Sequence, residues 1–428
     1  MVIELINTGS ELLLGRVLNT HQQWLCRQLA DLGYEVTRQI CVADEGRQIQ
    51  TAVRESLTRA DVVLTTGGLG PTSDDLTRDL IAQLLGRALV EDPVVLAAIE
   101  KYFGQRQRAM PPSTRVQAMV PAGACVLPNH HGTAPGLAME VNPNSLRESG
   151  LAGWLILLPG PPRELRPMFS ESVVPLLRQQ FPLAHPFVCR TLRTTGLGES
   201  AVEEKIAGPL QSLGQEGLEV GYCARIGEVD VRLIARGEKA SVTVGHAEKI
   251  VRQLLGPIIF AMDDGTMEST IVRLLTERGQ TLALAESCTG GLIAHRLTNV
   301  PGASAVLNCA LVTYSNQAKK DFLGVREKTL EEHGAVSEPV AREMAEGARQ
   351  RQGTDYALAV TGIAGPSGGS ETKPVGTVFI ALAGEGETIV EKRFNPFDRE
   401  TFKFVTAQQT FDLLRRALAA KVNRRTIS

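Results

Sequence analysis

Asp61-Val-Val-Leu-Thr-Thr-Gly-Gly-Leu-Gly-Pro-Thr-Ser-Asp-Asp-Leu-Thr77 is the stretch whose reading decides the fold. Its apolar start reads as a buried strand, its middle as a glycine-bearing loop, and Thr77 to Leu85 beyond it as a helix. In open α/β sheets, ligands bind in loops at the carboxyl ends of strands, which is where this loop falls. Outward from it the same rhythm repeats. Val2 to Ile6 and Glu35 to Val42 read as strands, and Thr20 to Leu32 and Arg47 to Thr58 as helices. The alternation predicts an α/β fold with a parallel sheet covered on both faces.

Glycines behind a strand let backbone N–H groups approach an anion closely, and a following helix start adds its positive dipole end. No GK[ST] follows, so the loop is not a Walker A sequence, and it is not the GxGxxG of a dinucleotide fold. Asp74 and Asp75 stand at the mouth of this phosphate-suited loop, and two carboxylates beside a phosphate call for a hard divalent cation between them. Asp44, closing the second strand, and Glu11, in the loop after the first, complete the candidate cluster. The plainer alternative is that the glycines make a turn and Ser73, Asp74 or Asp75 caps the helix.

From about Phe187 the pattern changes. Gly227 to Ala235 alternates apolar Val229, Val231 and Leu233 with Asp230 and Arg232, the period of a half-buried strand. A helix follows with Val244, Ala247, Val251 and Leu254 on one face. The 428 residues, at roughly 100 to 200 per domain, argue for several domains. We read residues 1–180 as a parallel-sheet domain, 187–261 as a small α+β connector, and 267–428 as a second α/β domain. A polar linker at Met262 to Thr266 leads us to expect that 267–428 folds alone.

In that last domain, Leu282 to Ala285, Ala305 to Tyr314, Tyr356 to Thr361, Thr377 to Ala383 and Ile389 to Phe394 read as strands. The last three are too closely spaced for every crossover to hold a helix, so the sheet is expected to be mixed. A closing helix carries Phe404, Phe411, Leu414, Leu418 and Val422 at helical spacing. Ala285-Glu-Ser-Cys-Thr-Gly-Gly291 sets a small nucleophile on a strand-to-helix turn with glycine amides behind it, the mechanics of a nucleophile elbow. Ser287 and Cys288 are rival nucleophiles. No histidine lies in a comparable loop to activate the cysteine, since His295 and His333 fall in helical stretches. Lys319, just after a strand, is the candidate base, because a desolvated lysine can lose its proton near neutrality.

Composition excludes several classes. With 43% hydrophobic and 21% charged residues the chain is globular, and a net charge of -2 provides no field to recruit nucleic acid. No apolar run approaches the ~18 residues of a membrane span. Seven cysteines without a CxxC pair suit a reducing compartment, so a cytoplasmic protein is expected.

Asn7-Thr-Gly-Ser-Glu-Leu-Leu-Leu-Gly15, Thr66-Gly-Gly-Leu-Gly-Pro-Thr-Ser-Asp-Asp75 and Leu158-Pro-Gly-Pro-Pro-Arg-Glu-Leu165 resemble the N-terminal domain of the CinA (competence/damage-inducible) family. That domain is similar in fold to molybdopterin-binding proteins. The resemblance implies an ADP-ribose site that is hydrolytic, with a divalent metal, in active members. Gly9, Ser10, Glu11, Thr66, Gly67, Gly68, Gly70, Thr72, Asn129, Pro159 and Gly160 would form the phosphate cradle, and Asp44, Asp74 and Asp75 would hold the metal.

Glu286-Ser-Cys-Thr-Gly-Gly291, Tyr314-x-Asn316-x-x-Lys319, Gly334-Ala-Val-Ser337, Thr361-Gly-Ile-Ala-Gly-Pro366 and Lys373-Pro-Val-Gly376 are similar to the nicotinamide-mononucleotide amidohydrolase domain of the same family. By that resemblance Ser287 is the nucleophile, Lys319 and Tyr314 assist proton transfer, and Thr361 orients the group. Glu286, Thr289, Gly290, Gly291, Asn316 and Gly362 then form the oxyanion and substrate loops. The implied protein is a bifunctional hydrolase of pyridine-nucleotide salvage: an ADP-ribose pyrophosphatase and a nicotinamide-mononucleotide deamidase, the latter without a cofactor. The resemblance also implies a homodimer. Two rivals are a non-catalytic binding protein of competence or DNA repair, and a molybdopterin-handling enzyme.

Overall fold

The computed structural model describes residues 1–142, 144–147 and 149–425. The chain divides into two compact units, Met1–Phe187 and Val188–Ser428.

In the first unit a six-stranded sheet runs in the order Val36–Val42, Ile3–Thr8, Val62–Thr66, Gly153–Leu158, Gly136–Val141, Cys125–Leu127. The first four strands are parallel, and the last two join antiparallel. The sheet is thus mainly parallel, as expected, with an antiparallel edge where the connection from Gly136–Val141 to Gly153–Leu158 is too short for a crossover helix. Alternate residues of the central strands serve opposite cores. Ile3, Leu5, Val62, Leu64 and Ile156 pack with Leu25, Leu29, Leu165 and Phe169, while Ile6, Val63, Leu155 and Leu157 pack with Ile49, Val53, Leu57 and Ile81. Burial on both faces explains why these strands read as continuous apolar runs.

The second unit holds two sheets. One has the order Glu219–Arg225, Glu228–Arg236, Phe187–Thr195, Ile259–Met262, with helices Glu199–Gln215 and Ala240–Leu255 supplying its core. This β-α-β-β-α-β order is that of a split βαβ unit. On the helix Ala240–Leu255 the buried residue at the foot of the face is Leu255, and Leu254 is exposed. The other sheet runs Leu307–Val312, Leu282–Glu286, Tyr356–Gly362, Thr377–Ala383, Ile389–Phe394, parallel over the first three strands and antiparallel over the rest, so it is mixed as expected. One face is paved with Ala283, Ala285, Ala357, Ala359, Ala381 and Ala383 against the helix Glu338–Gln352. Small side chains there let the helix lie close to the sheet. The other face buries Leu282, Leu284, Leu358 and Ile380 against Ile271, Leu275, Phe402, Phe411 and Leu414.

On the closing helix, Phe402 takes the core position expected for Phe404, which lies at the rim under the Arg296 guanidinium. The side chain of Val422 lies outside the described residues. The polar segment from Met262 to Thr266 is held by hydrogen bonds. Asp263 accepts from the Thr191 amide at 3.0 Å and from Arg190 at 2.8 Å, and Thr266 caps the next helix by accepting from the Ser269 amide. Around it, Arg193 donates to Glu228 at 2.9 Å, Gln408 donates to Glu228 at 2.8 Å, and Arg415 reaches the Pro257 carbonyl.

No described helix is long and apolar enough to cross a membrane.

Candidate functional site

Register decides which loops can meet. In the first unit Asn7 pairs with Thr66, Thr8 with Val42, and Thr66 with Leu158, so four parallel strands end at one level. Their loops surround a cavity of 380 Å³. Of the residues expected in a phosphate cradle, Gly9, Glu11, Gly67, Gly68, Gly70, Pro159 and Gly160 line it, as do Asp44, Asp74 and Asp75. Gly67 has φ +100, and a Cβ there would stand 2.6 Å from Thr8 Oγ1, so only glycine fits where the strand meets the cavity.

The other expected cradle residues act from behind. Thr66 Oγ1 donates to Asn7 Oδ1 at 3.0 Å, and Ser10 exchanges hydrogen bonds with Asp44, its amide donating at 2.8 Å and its hydroxyl accepting from the Asp44 amide at 3.1 Å. The Thr72 amide donates to Asp75 at 3.0 Å, and its hydroxyl points to the same carboxylate. Asn129 does not line this cavity. Its amide donates to Ala134 O at 2.7 Å and to Glu164 at 2.8 Å, which fixes the loop that carries Thr133 and Ala134 to the rim. Neither acid caps the helix Thr77–Leu84, whose start has no side-chain cap, so the capping alternative is not what the structure shows. Among the described residues no group of three or more His, Cys, Asp and Glu side chains is arranged to hold a metal ion. Glu164, within the quoted 158–165 motif but given no role there, lines the cavity too, as does Gln117, which carried no signal in the sequence because it comes from a segment outside the strand-end loops.

In the second unit Glu286 pairs with Val312 on one side and Val360 on the other, which brings the loops at Ser287, Thr313 and Thr361 to one level. Ser315 starts the helix Asn316–Leu323 by accepting from the Ala318 amide at 3.1 Å, and this turns Lys319 back under the sheet end. Lys319 is 1% exposed. Its Nζ donates to the Thr313 carbonyl at 2.8 Å and lies 3.1 Å from Ser287 Oγ. Burial lowers the Lys319 pKa below its ordinary value, because a charged amine loses hydration there. Cys288 is buried among apolar neighbours and its thiol is pushed up to about 12, chiefly by desolvation, so its thiolate is not populated at neutral pH.

Four expected residues have other partners. The phenol of Tyr314 is exposed and accepts from Arg399 Nη2 at 2.8 Å, with no hydrogen bond to the dyad. Thr361 Oγ1 donates to the Ala335 carbonyl at 2.8 Å, so it braces the 334–337 turn. The Gly290 amide donates to Ser287 O and the Gly291 amide to Glu286, so neither is free to meet an oxyanion. Asn316 opens its helix and is exposed, and Gly362 ends its strand where a Cβ would stand 2.8 Å from Thr377 O. Arg399, which joins Tyr314 to the Gly365 carbonyl, carried no signal in the sequence because its role depends on a helix starting 85 residues downstream of Tyr314.

Three family models match the chain: a probable molybdopterin binding domain over residues 4–179, the damage-inducible protein CinA KH domain over 189–261, and the CinA C-terminal domain over 264–418. A CinA-like protein of Akkermansia muciniphila is 46% identical over 95% of this chain and 95% of its own length. A CinA-like protein of Gemmatimonas aurantiaca is 40% identical, covering 98% of this chain and 97% of that one. A solved structure, the competence/damage inducible protein CihA from Agrobacterium tumefaciens, is 42% identical over 36% of this chain and 93% of its own, with a TM-score of 0.35. The chain belongs to the CinA family.

Proposed function

We propose that the C-terminal part of this chain is a deamidase that converts nicotinamide mononucleotide to nicotinate mononucleotide and ammonia, and that the N-terminal cavity binds ADP-ribose and cleaves its diphosphate. The observation that carries the first half is the buried Lys319 amine at 3.1 Å from Ser287 Oγ. Desolvation favours the neutral amine, which can take the serine proton as Oγ attacks the carboxamide carbon. The resulting Lys319 ammonium then returns that proton to the leaving nitrogen, and ammonia departs. Water repeats the sequence on the acyl-serine, with Lys319 again as base, which frees the carboxylate and restores the hydroxyl. The Thr313 carbonyl holds the amine in position throughout.

Support for the second half is the glycine-lined cavity at four parallel strand ends. The chemistry expected there uses a divalent cation. Asp44 and Asp75 are engaged by Ser10 and Thr72, and no trio of ligating side chains among the described residues is set for one ion, so the side chains as arranged do not form a cation site. Cytoplasmic location and homodimeric assembly belong to the same reading, and the seven free cysteines suit it. A non-catalytic DNA-associated role finds no support in a net charge of -2.

The test is product analysis after incubating the full chain with each nucleotide separately, with added divalent metal and with chelator. Ammonia from nicotinamide mononucleotide and two monophosphates from ADP-ribose are expected. If neither product forms, and thermal stabilisation is seen with DNA or molybdopterin instead, the hydrolase reading is wrong.

A further inference from the structure

The turn that carries Ser287 contains a second device. Seven of the nine backbone N–H groups from Ser287 to His295 have an acceptor in another residue. The Ser287 amide donates to Val360 O, Gly290 to Ser287 O, Leu292 to Thr289 O, and His295 to Gly291 O. The Gly291, Ile293 and Ala294 amides donate to the carboxylate of Glu286, at 3.0, 3.1 and 2.8 Å. That carboxylate is 1% exposed and also accepts from Thr289 Oγ1 at 2.7 Å. Two consecutive amides remain, those of Cys288 and Thr289. Among the described hydrogen bonds neither donates to an acceptor in another residue, although both residues are buried. The Cys288 amide meets only its own sulfur, a weak acceptor. Buried backbone donors are almost always well paired, so two adjacent amides without a partner in another residue, beside a nucleophile, mark a place for an acceptor that comes and goes.

We propose that the Cys288 and Thr289 amides form the oxyanion hole for attack by Ser287, and that Glu286 is the positioning residue that holds them there. This rests on the deamidase reading above and adds to it the group that binds the developing charge. The physical logic is one of competition. Without Glu286, the Gly291, Ile293 and Ala294 amides would seek other acceptors, and the turn would relax toward a regular helix start that no longer leaves the Cys288 and Thr289 N–H groups available. With it, the carboxylate satisfies three amides and clamps Thr289 through its hydroxyl. The two free donors are then fixed before substrate arrives, which is the condition for a large electrostatic effect on the transition state. Because the hole acts on charge that exists only in the transition state, its loss should appear in kcat and not in KM.

The experiment uses the full chain and the variants Glu286→Gln, Thr289→Val and Thr289→Ser. Glu286→Gln replaces an all-acceptor group with one that carries donors, and about a 100-fold loss of kcat for ammonia release from nicotinamide mononucleotide is expected, with KM unchanged. Thr289→Val removes only the hydroxyl clamp and keeps the shape, so it serves even if Glu286→Gln does not fold. It should lose about 10-fold in kcat, and Thr289→Ser, which restores the hydroxyl, should recover most of that loss. A second readout is pyridine-3-boronic acid, whose boron becomes tetrahedral on bonding to a serine oxygen and so mimics the oxyanion without being a substrate. Boron NMR should show a Ser287-dependent tetrahedral adduct that is weakened in Thr289→Val to the same degree as kcat. A rise in KM with kcat unchanged, or equal losses in Thr289→Val and Thr289→Ser, overturns the proposal. If wild type binds the boronate in this Thr289-dependent way yet releases no ammonia, the oxyanion hole stands and the substrate assignment falls. If wild type does neither, both fall.

Discussion

Lys319 Nζ and Ser287 Oγ lie 3.1 Å apart across 32 residues of sequence, and the amine is held from its far side by the Thr313 carbonyl at 2.8 Å. A lysine in this position is oriented by one acceptor and faces one hydroxyl, and among the described residues no carboxylate forms an ion pair with it.

Ser287→Ala should abolish ammonia release while leaving ADP-ribose cleavage intact. Lys319→Met should be nearly as damaging, and the double variant no worse than either single one, because nucleophile and base act as a unit. Cys288→Ala should cost ~1 kcal/mol of stability through lost packing and little rate. Initial rates at saturating nicotinamide mononucleotide decide the matter: an active Ser287→Ala with a dead Cys288→Ala would reverse the assignment.

The pH dependence has a definite sign. Deamidation needs the neutral amine, so kcat should rise with pH through the folded-state value of Lys319 and level off above it. Since burial lowers that value from 10.5, the acid limb should lie below 10.5 and should disappear from residual activity in Lys319→Met. Linkage runs the same way. Between the lowered folded value and the ordinary one the unfolded chain binds the extra proton, so stability should increase as pH rises through that interval. A pH–rate profile with its acid limb at 10.5 or higher would remove Lys319 as the base.

Asp44→Asn, Asp74→Asn and Asp75→Asn each keep shape and remove a charge at the first cavity. If the cavity works with a divalent cation, each should lower ADP-ribose hydrolysis by roughly 100-fold, and chelation should do the same, with deamidation unaffected by either. Asp75→Asn should also loosen the Thr72 turn that its carboxylate holds. Unchanged rates in Asp74→Asn and Asp75→Asn would leave these acids as loop-builders.

Arg193→Met tests the buried ion cluster that ties two neighbouring strands of the connector sheet to the segment leading out of it. Arg193 is almost fully buried between Glu228 and Asp230 and also donates to the Gly265 carbonyl at 2.6 Å. Removing it leaves two buried carboxylates short of a partner, which should cost about 3 kcal/mol or more by denaturant unfolding. By the same contacts, the fragment 188–428 should be more stable than 267–428, in which Gln408 loses Glu228 and Arg415 loses the Pro257 carbonyl. Equal midpoints for the two fragments would show that the connector contributes nothing to the domain after it.

Much of this was written locally in the chain. Where strands were read, their ends fell within a residue or two, because burial on one or both faces leaves a period in the residues themselves: Val62 to Thr66 is continuous, and Glu228 to Ala235 alternates, whereas Gly136–Val141 and Glu219–Arg225 were not read as strands. The candidate loops followed from those ends, since parallel strands in register must bring their carboxyl ends to one level. Partner choice was not local. That Gly291 would give its amide to Glu286, that Tyr314 would hold Arg399 in place of the dyad, and that Leu255 and Phe402 would take the core positions expected for Leu254 and Phe404, depend on helix rotation and on distances between segments far apart in sequence. A hydrogen-bond donor has many chemically equivalent acceptors along a chain, and only the packed sheet decides which one stands within 3 Å.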